Sequence, residues 1–281
     1  VPNARNNAEW ILCDATDCTR LQIYVDTSGE VVPDQRDRYL DNLRRRAGRE
    51  PLQYILGTTE FMSLPFRTPR GVFVPRPDTE VLVEATEARL RDMPLSPCLR
   101  ILDLCCGSGV IAVSLAYRVP NLEAWAVDCS AGAVDATAKN AAVNGVDDRV
   151  RAVNAAAAGF LSAGVDIGPA SPADGHPQRF SAVICNPPYI ATSDVSSLPP
   201  EVREHEPVDA LDGGPDGLQF YRRIVPMLPS RLETGGFAAF EIGDTQGEAV
   251  SDIMSEAGFA EVSVALDYAG RDRVVTGVRP V

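Results

Sequence analysis

The chain has 281 residues, 45% of them hydrophobic and 23% charged, with a formal net charge of −13. That balance suits a globular protein with one large domain and a small one. Such acidity makes a poor generic grip on phosphate backbones, so no direct nucleic-acid contact is expected. No apolar run of about 18 residues is present, so no membrane contact is expected either.

Residues 1–57 read as a small helical domain. Ala8, Trp10, Ile11, Leu12 and Ala15 form one apolar cluster, and Leu21, Ile23, Tyr24 and Val25 form another. Asp34 suits the N-cap of a helix carrying Tyr39, Leu40 and Leu43 at helical spacing, with Gly48 ending it. Pro51 starts a segment that stops at Gly57. Nine acids face eight arginines here, so nearly all the acidity lies downstream. The Arg44-Arg45-Arg46 run reads as a solvated helix face.

Thr58 to Val74 alternates loosely around Pro65, Pro69 and Gly71, and residues 58–76 read as a hairpin linker. The third region, 77–281, opens with Asp78 or Thr79 as cap of a helix from Glu80 to about Arg91. From Leu99 onward strand and helix alternate. Strands are expected at Arg100–Leu104, Ala124–Val127, Val150–Val153, Phe180–Cys185, Phe237–Ile242, Val262–Leu266 and Arg273–Val278. Helices are expected after Gly109 to Tyr117, then at Ala131–Asn144, Gly217–Leu228 and Gln246–Glu256. Gly164–Arg179 reads as a surface loop. This alternation implies an α/β fold with a largely parallel, doubly wound sheet.

Two stretches carry chemistry. Asp103-Leu104-Cys105-Cys106-Gly107-Ser108-Gly109 follows the first strand of the sheet, where glycines let backbone approach a ligand and Asp103 offers an acceptor. Asp128 ends the next strand with a carboxylate suited to a ribose diol. By itself such a turn fits any dinucleotide site. The second stretch is Cys185-Asn186-Pro187-Pro188-Tyr189-Ile190. Neither proline can donate to a ladder, and each holds its predecessor extended. Asn186 is thus fixed at a rigid strand exit, with free carbonyls on Asn186 and Pro187. An amide side chain plus carbonyls can grip an –NH2 group.

Asn-Pro-Pro-Tyr after a strand resembles the signature of S-adenosylmethionine-dependent methyltransferases acting on planar amino groups. Pro200-Glu201-Val202-Arg203-Glu204-His205-Glu206-Pro207, Ala210-Leu211-Asp212-Gly213-Gly214-Pro215-Asp216-Gly217-Leu218, and Glu241-Ile242-Gly243 with Gln246 narrow the resemblance to the HemK family, from about Ala4 to Arg279. Those enzymes methylate the side-chain amide of glutamine in peptide chain release factors. The resemblance implies a Rossmann-like seven-stranded methyltransferase sheet, S-adenosyl-L-methionine as cofactor, and release factors as partners. It gives Asn186, Pro187 and Tyr189 the catalytic role, with Pro188 joining them in binding the substrate. Asp103, Cys105, Cys106, Gly107, Ser108, Gly109, Asp128, Ala157 and Asn186 would bind the cofactor. Arg76 and Pro77 would line its site, and residues 1–57 would hold the protein substrate. Glu201, Glu204 and Asp212 are candidates for orienting the substrate loop, and Glu241 for supporting the site. His205 and His176 read as loop or surface histidines.

Two departures from the family pattern stand out. Cys105-Cys106 replace a small pair such as Gly-Thr. Ala156 and Ala157 stand where an acid and a large apolar residue would contact adenine, which predicts weaker cofactor binding. Competing readings are a ribosomal-protein glutamine methyltransferase, a nucleic-acid adenine methyltransferase and a non-catalytic cofactor-binding protein.

Seven scattered cysteines without paired spacing, and no Cys/His cluster, predict neither disulfides nor a metal. A reducing, cytoplasmic setting and a monomer are expected. The chain begins at Val1 without a signal-peptide pattern, and some N-terminal residues are expected to have been removed. Lys139 is the only lysine; the Arg bias and the acidity fit genomic base composition or a salt-adapted source.

Overall fold

The computed structural model describes residues 1–25, 29–94, 96–163 and 179–280. Most of the expected 164–179 loop, with His176, lies outside these residues.

The chain opens with α1 (Ala4–Thr16), α2 (Arg20–Val25), α3 (Pro33–Ala47) and α4 (Leu52–Leu56). The two expected apolar clusters are only half realised. α1 buries Ile11, Cys13 and Ala15. Trp10 faces outward with the Arg20 guanidinium over its ring, and Leu21 and Val25 are 72% and 75% exposed. α2 is only six residues long and buries none of them, so its apolar residues have no layer to pack against. α3 starts a residue before Asp34, with Pro33 in its first turn, where a missing N–H costs nothing. The Arg44–Arg46 run is a solvated face only at Arg44, which is exposed. Arg46 is buried and donates to Asn7 Oδ1 and the Glu50 carbonyl, and Arg45 pairs with Glu50.

A hairpin follows, β1 (Thr58–Phe61) with β2 (Leu64–Arg67), antiparallel. Its turn residues Met62 and Ser63 both take positive φ, the geometry that matches strand twist. Next come α5 (Thr79–Asp92), β3 (Leu99–Leu104), α6 (Val110–Arg118), β4 (Leu122–Asp128), α7 (Ala131–Val143), β5 (Val150–Asn154) and α8 (Ala157–Ala163). Then follow β6 (Phe180–Cys185), α9 (Thr192–Val195), α10 (Pro200–Arg203), α11 (Gln219–Ile224), β7 (Leu232–Glu241), α12 (Gly247–Glu256), β8 (Ala260–Leu266) and β9 (Asp272–Val278). α8 was not foreseen. α11 starts after Gly217 because that glycine holds φ +74°, outside the helical region.

Seven strands form one sheet in the order β5-β4-β3-β6-β7-β9-β8. β5, β4, β3, β6 and β7 run parallel, and β9 and β8 close the edge antiparallel. The central strands of the sheet are buried on both faces. Ile101, Ala126 and Ile184 pack on Leu82, Ile111 and Leu115 of α5 and α6. Their strand neighbours Leu102, Trp125 and Val183 pack the other way, with Phe160, Tyr221 and Met254 of α8, α11 and α12. Trp125 meets Phe180 edge to face at 5.6 Å between ring centroids. Truncating such an aromatic to alanine costs about 3–5 kcal/mol. The order reverses between β3 and β6, because β3 leads to β4 on one side and β6 returns on the other. The carboxyl ends of these two strands carry the two stretches picked out above, at the place where open sheets bind ligands.

Candidate active site

A cavity of about 630 Å³ opens at this reversal point. Its size is that of a small-molecule site. Cys105, Cys106, Gly107 and Ser108 form one wall, Asp128 and the Ala155–Ala158 run another, and Asn186 to Tyr189 a third.

The turn after β3 is braced from below. Cys105 takes φ 58°, a left-handed conformation that costs an L-residue roughly 1–2 kcal/mol. Thr137 donates its hydroxyl hydrogen to the Gly107 carbonyl at 3.1 Å, and Asn140 Nδ2 donates to the Ser108 carbonyl at 2.8 Å. Gly109 serves packing and does not line the cavity: a Cβ there would lie 2.7 Å from Thr137. Asp103 is also not a cavity residue. It is fully buried, and its Oδ2 accepts from the Ala112 N–H at 3.1 Å, pinning the start of α6. Burial pushes its carboxyl up to about 8 against the pull of that N–H. Asp128 does reach the cavity. Its two oxygens accept from the Gly107 and Ser130 N–H groups at 3.0 and 2.8 Å, which aligns the carboxylate with the turn. Burial raises the Cys106 and Cys185 thiols well above their ordinary range, so neither is a thiolate nucleophile.

All four residues Ala155–Ala158 line the cavity, and Asn154 beside them turns away to donate to the Asp128 and Cys129 carbonyls. The alanine run itself therefore presents neither a carboxylate nor a large side chain. Phe220, Arg223 and Ile224 of α11, a helix that packs beside α8, also line the cavity, and sequence reasoning missed them. The only hint was the apolar spacing of Phe220 and Ile224. Arg76 lines the cavity with Pro75, whereas Pro77 does not.

The strand exit is built as its sequence predicts. Among the described residues no backbone N–H donates to the carbonyls of Asn186 or Pro187. Asn186 Nδ2 donates to Thr79 Oγ1 at 3.1 Å, which leaves Asn186 Oδ1 as the open acceptor. Thr79, read from sequence only as a cap, is 2% exposed and lines the cavity. Tyr189 donates its phenolic hydrogen to Glu241 Oε1 at 3.2 Å. Burial holds that phenol well above its ordinary range, so it stays neutral. The 211–217 glycine loop braces this exit: Ile190 N–H donates to Leu211, Gly213 N–H donates to Ile190, and Gln246 Nε2 donates to the Tyr189 carbonyl. Asp212 caps the same loop by accepting from Thr192 and Gly214. Glu201 accepts from Arg46 and Arg49, Glu206 from Arg76 and the Val74 N–H, and Glu204 from its neighbour Arg203. His205 does not line the cavity. Among the described residues no group of His, Cys, Asp and Glu could hold a metal.

A planar –NH2 presented here would find acceptors from Asn186 Oδ1 and the Pro187 carbonyl, beside the aromatic Tyr189, above a cavity roomy enough for a nucleoside-sized donor. With the sheet order, this defines a Rossmann-like methyltransferase. Family models agree: residues 1–57 match "PrmC N-terminal domain" and residues 63–198 match "Methyltransferase small domain". A curated relative from Geobacter sulfurreducens, a release factor glutamine methyltransferase, is 42% identical over 99% of this chain and 90% of its own. One of the same name from Moorella thermoacetica is 39% identical over 99% and 93%. The chain belongs to the release factor glutamine methyltransferase family. The hMettl16 catalytic domain, solved with MAT2A 3′UTR hairpin 6, shares the fold at TM-score 0.58 and 13% identity, over 92% of this chain and 87% of that one.

Proposed function

We propose that this protein transfers a methyl group from S-adenosyl-L-methionine to the side-chain amide nitrogen of the glutamine in the Gly-Gly-Gln loop of peptide chain release factors. The observation that carries the reading is the Asn186–Thr79 hydrogen bond, which turns an acceptor oxygen toward the cavity. Family membership and the names of the relatives support the same reading.

The cavity suits the cofactor. Ser108 lines it, its Oγ buried and with no partner among the described residues, and Asp128 offers a carboxylate aligned with the turn. Cys105 to Ser108, Asp128, Ala157 and Asn186 would hold S-adenosylmethionine, with Asp103 and Gly109 shaping the turn beneath. The cofactor supplies an electrophilic methyl group on a sulfonium. The protein does the positioning. An amide nitrogen is a poor nucleophile because its lone pair is delocalised. Asn186 Oδ1 and the Pro187 carbonyl accept its two hydrogens, so the nitrogen is aimed and the positive charge that develops on it is stabilised. Pro187 and Pro188 keep the acceptors rigid, and Tyr189 packs over the planar amide. The nitrogen that has gained the methyl is acidic enough to lose its extra proton to water, so no dedicated base or metal is required.

Residues 1–57 act as a substrate-docking domain, 58–76 as a linker and 77–281 as the transfer domain, in a cytoplasmic monomer. Among the described residues no helix is long and apolar enough to cross a membrane. Labelled cofactor incubated side by side with a release factor, a ribosomal protein and duplex DNA tests the reading. Label is expected on the release factor. Label on DNA adenine alone would overturn it.

A further inference from the structure

We propose that Phe220 is a cofactor-binding residue of this site: its ring packs on the face of the adenine of S-adenosylmethionine. The inference rests on the cavity holding that cofactor, as proposed above.

The strand order lays the cofactor out. The carboxyl ends of β5, β4, β3 and β6 lie side by side in that order. They lead into Ala155, Asp128, the Cys105–Ser108 turn and Asn186 respectively. With the methyl group at Asn186 and the ribose at Asp128, the base reaches the end of β5. Asp128 is in register with Asn154 there, and the Ala155 N–H donates to the Asp128 carbonyl at 3.0 Å. The base therefore lies along the alanine run.

Adenine presents a flat face that an aromatic ring fits, and four alanines offer no ring. Among the described residues three aromatic side chains line the cavity: Phe73, Tyr189 and Phe220. Two are engaged elsewhere. Phe73 carries the Arg76 guanidinium 4.8 Å from its ring centroid. Tyr189 donates to Glu241 at the strand exit, beside β6 and not β5. Phe220 has no ring or cation partner among the described residues, and it belongs to the same apolar cluster as Ala155, Ala157 and Ala158. Its helix packs beside α8, which begins at Ala157.

That helix is fixed before any ligand arrives. Tyr221 donates its phenolic hydrogen to the Glu241 carbonyl at 2.7 Å and meets Phe240 edge to face at 5.6 Å between centroids. Ile224 is buried one turn on, and Arg222 pairs with Asp216 at the helix start. With Tyr221 and Ile224 turned inward, Phe220 is left half-buried at the cavity wall. A preplaced ring loses little freedom when a base stacks on it. A phenyl ring brings no hydrogen-bond acceptor, so the exocyclic amine of adenine stays unserved at Ala156.

Two measurements on the full chain test this. Wild-type protein with ring-labelled phenylalanine is followed by NMR, the Phe220 signals identified by their loss in Phe220→Leu. S-adenosyl-L-homocysteine is expected to move them upfield, because a purine face shields protons held over it, and methionine to leave them in place. By calorimetry Phe220→Leu should bind S-adenosyl-L-homocysteine about tenfold more weakly, while Phe220→Tyr, which keeps the ring, binds within a few-fold of wild type. In steady-state transfer the loss should appear in KM for the cofactor, with KM for release factor within a few-fold. Unmoved Phe220 signals in protein saturated with S-adenosyl-L-homocysteine, or undiminished affinity in Phe220→Leu, overturn the proposal and spare the cofactor reading. A KM raised for release factor alone assigns the ring to the protein substrate and overturns it too. No binding of S-adenosyl-L-homocysteine by the wild type strikes the cofactor reading itself, and the proposal with it.

Discussion

Arg46 Nη2 donates to Glu201 Oε1 at 3.0 Å across 155 positions of sequence. The bond ties α3 to α10, the short helix that follows the strand exit, and Arg49 adds a second. The proposed docking domain and the segment that follows the strand exit are therefore held in one frame. Burial acts to raise the Glu201 carboxyl, but its own backbone N–H, Arg46 and Arg49 outweigh it and hold it below the usual range.

Glu201→Gln should destabilise the protein by roughly 1.5–3 kcal/mol at neutral pH, the value of a hydrogen bond to a charged group. A lowered carboxyl contributes stability that is present above its unfolded value of about 4.3 and lost as pH falls through the folded value. Urea unfolding should accordingly show the two proteins converging in acid. The variant should also raise KM for an intact release factor more than for a loop peptide. Equal KM changes for both would mean that the contact only stabilises the fold.

Gly217→Ala should abolish transfer. Its Cβ would lie 2.3 Å from the Tyr189 carbonyl, at a φ of +74° that L-residues rarely adopt. The displaced atom is backbone of the proposed catalytic exit, so kcat should fall while calorimetry still detects cofactor binding. Wild-type turnover would show that the exit tolerates the shift.

Stability should decline as pH rises from about 5 to 8, because two buried carboxyls resist ionisation. Asp103 and Glu241 are pushed up to about 8 and about 7. Raised values contribute stability that is present below the unfolded values of about 3.9 and 4.3 and lost as pH passes the folded ones. Asp103→Asn keeps an acceptor for the Ala112 N–H and removes one titration, so its stability curve should be flatter over this range. Parallel curves would assign the slope elsewhere.

Ala156→Asp should tighten cofactor binding by about tenfold or more, the worth of a charged hydrogen bond. Ala156 lines the cavity in a run of four alanines that presents no carboxylate. Unchanged affinity by calorimetry would show that the adenine is served from the α11 side, where Arg223 and Phe220 stand.

The sheet was legible because buried parallel strands such as Ala182–Cys185, and Ile101–Leu104 apart from Asp103, are apolar runs with glycine or proline soon after their exits. The strand exit was legible because Pro187 and Pro188 restrict backbone geometry whatever surrounds them. Contacts between distant segments carry no local signal. Thr79 looks like any helix start until the fold sets it 3.1 Å from Asn186, and Arg46 looks solvent-facing until Asn7 and Glu201 meet it. Leu21 and Val25 misled for the converse reason, since apolar character alone does not supply a partner layer. Asp103 looked like a ligand contact by position, yet its carboxylate turns inward to the start of α6.

The central claim is that Asn186 works by orienting an amide, and single-turnover methyl transfer to a release factor, with cofactor affinity measured in parallel, tests it most directly. Asn186→Ala should lose roughly a hundredfold or more in rate, the scale of removing one preorganised polar group from a reacting centre, with cofactor affinity within a few-fold of wild type. Transfer at the wild-type rate by Asn186→Ala, with methyl found on the same glutamine nitrogen, would contradict the account.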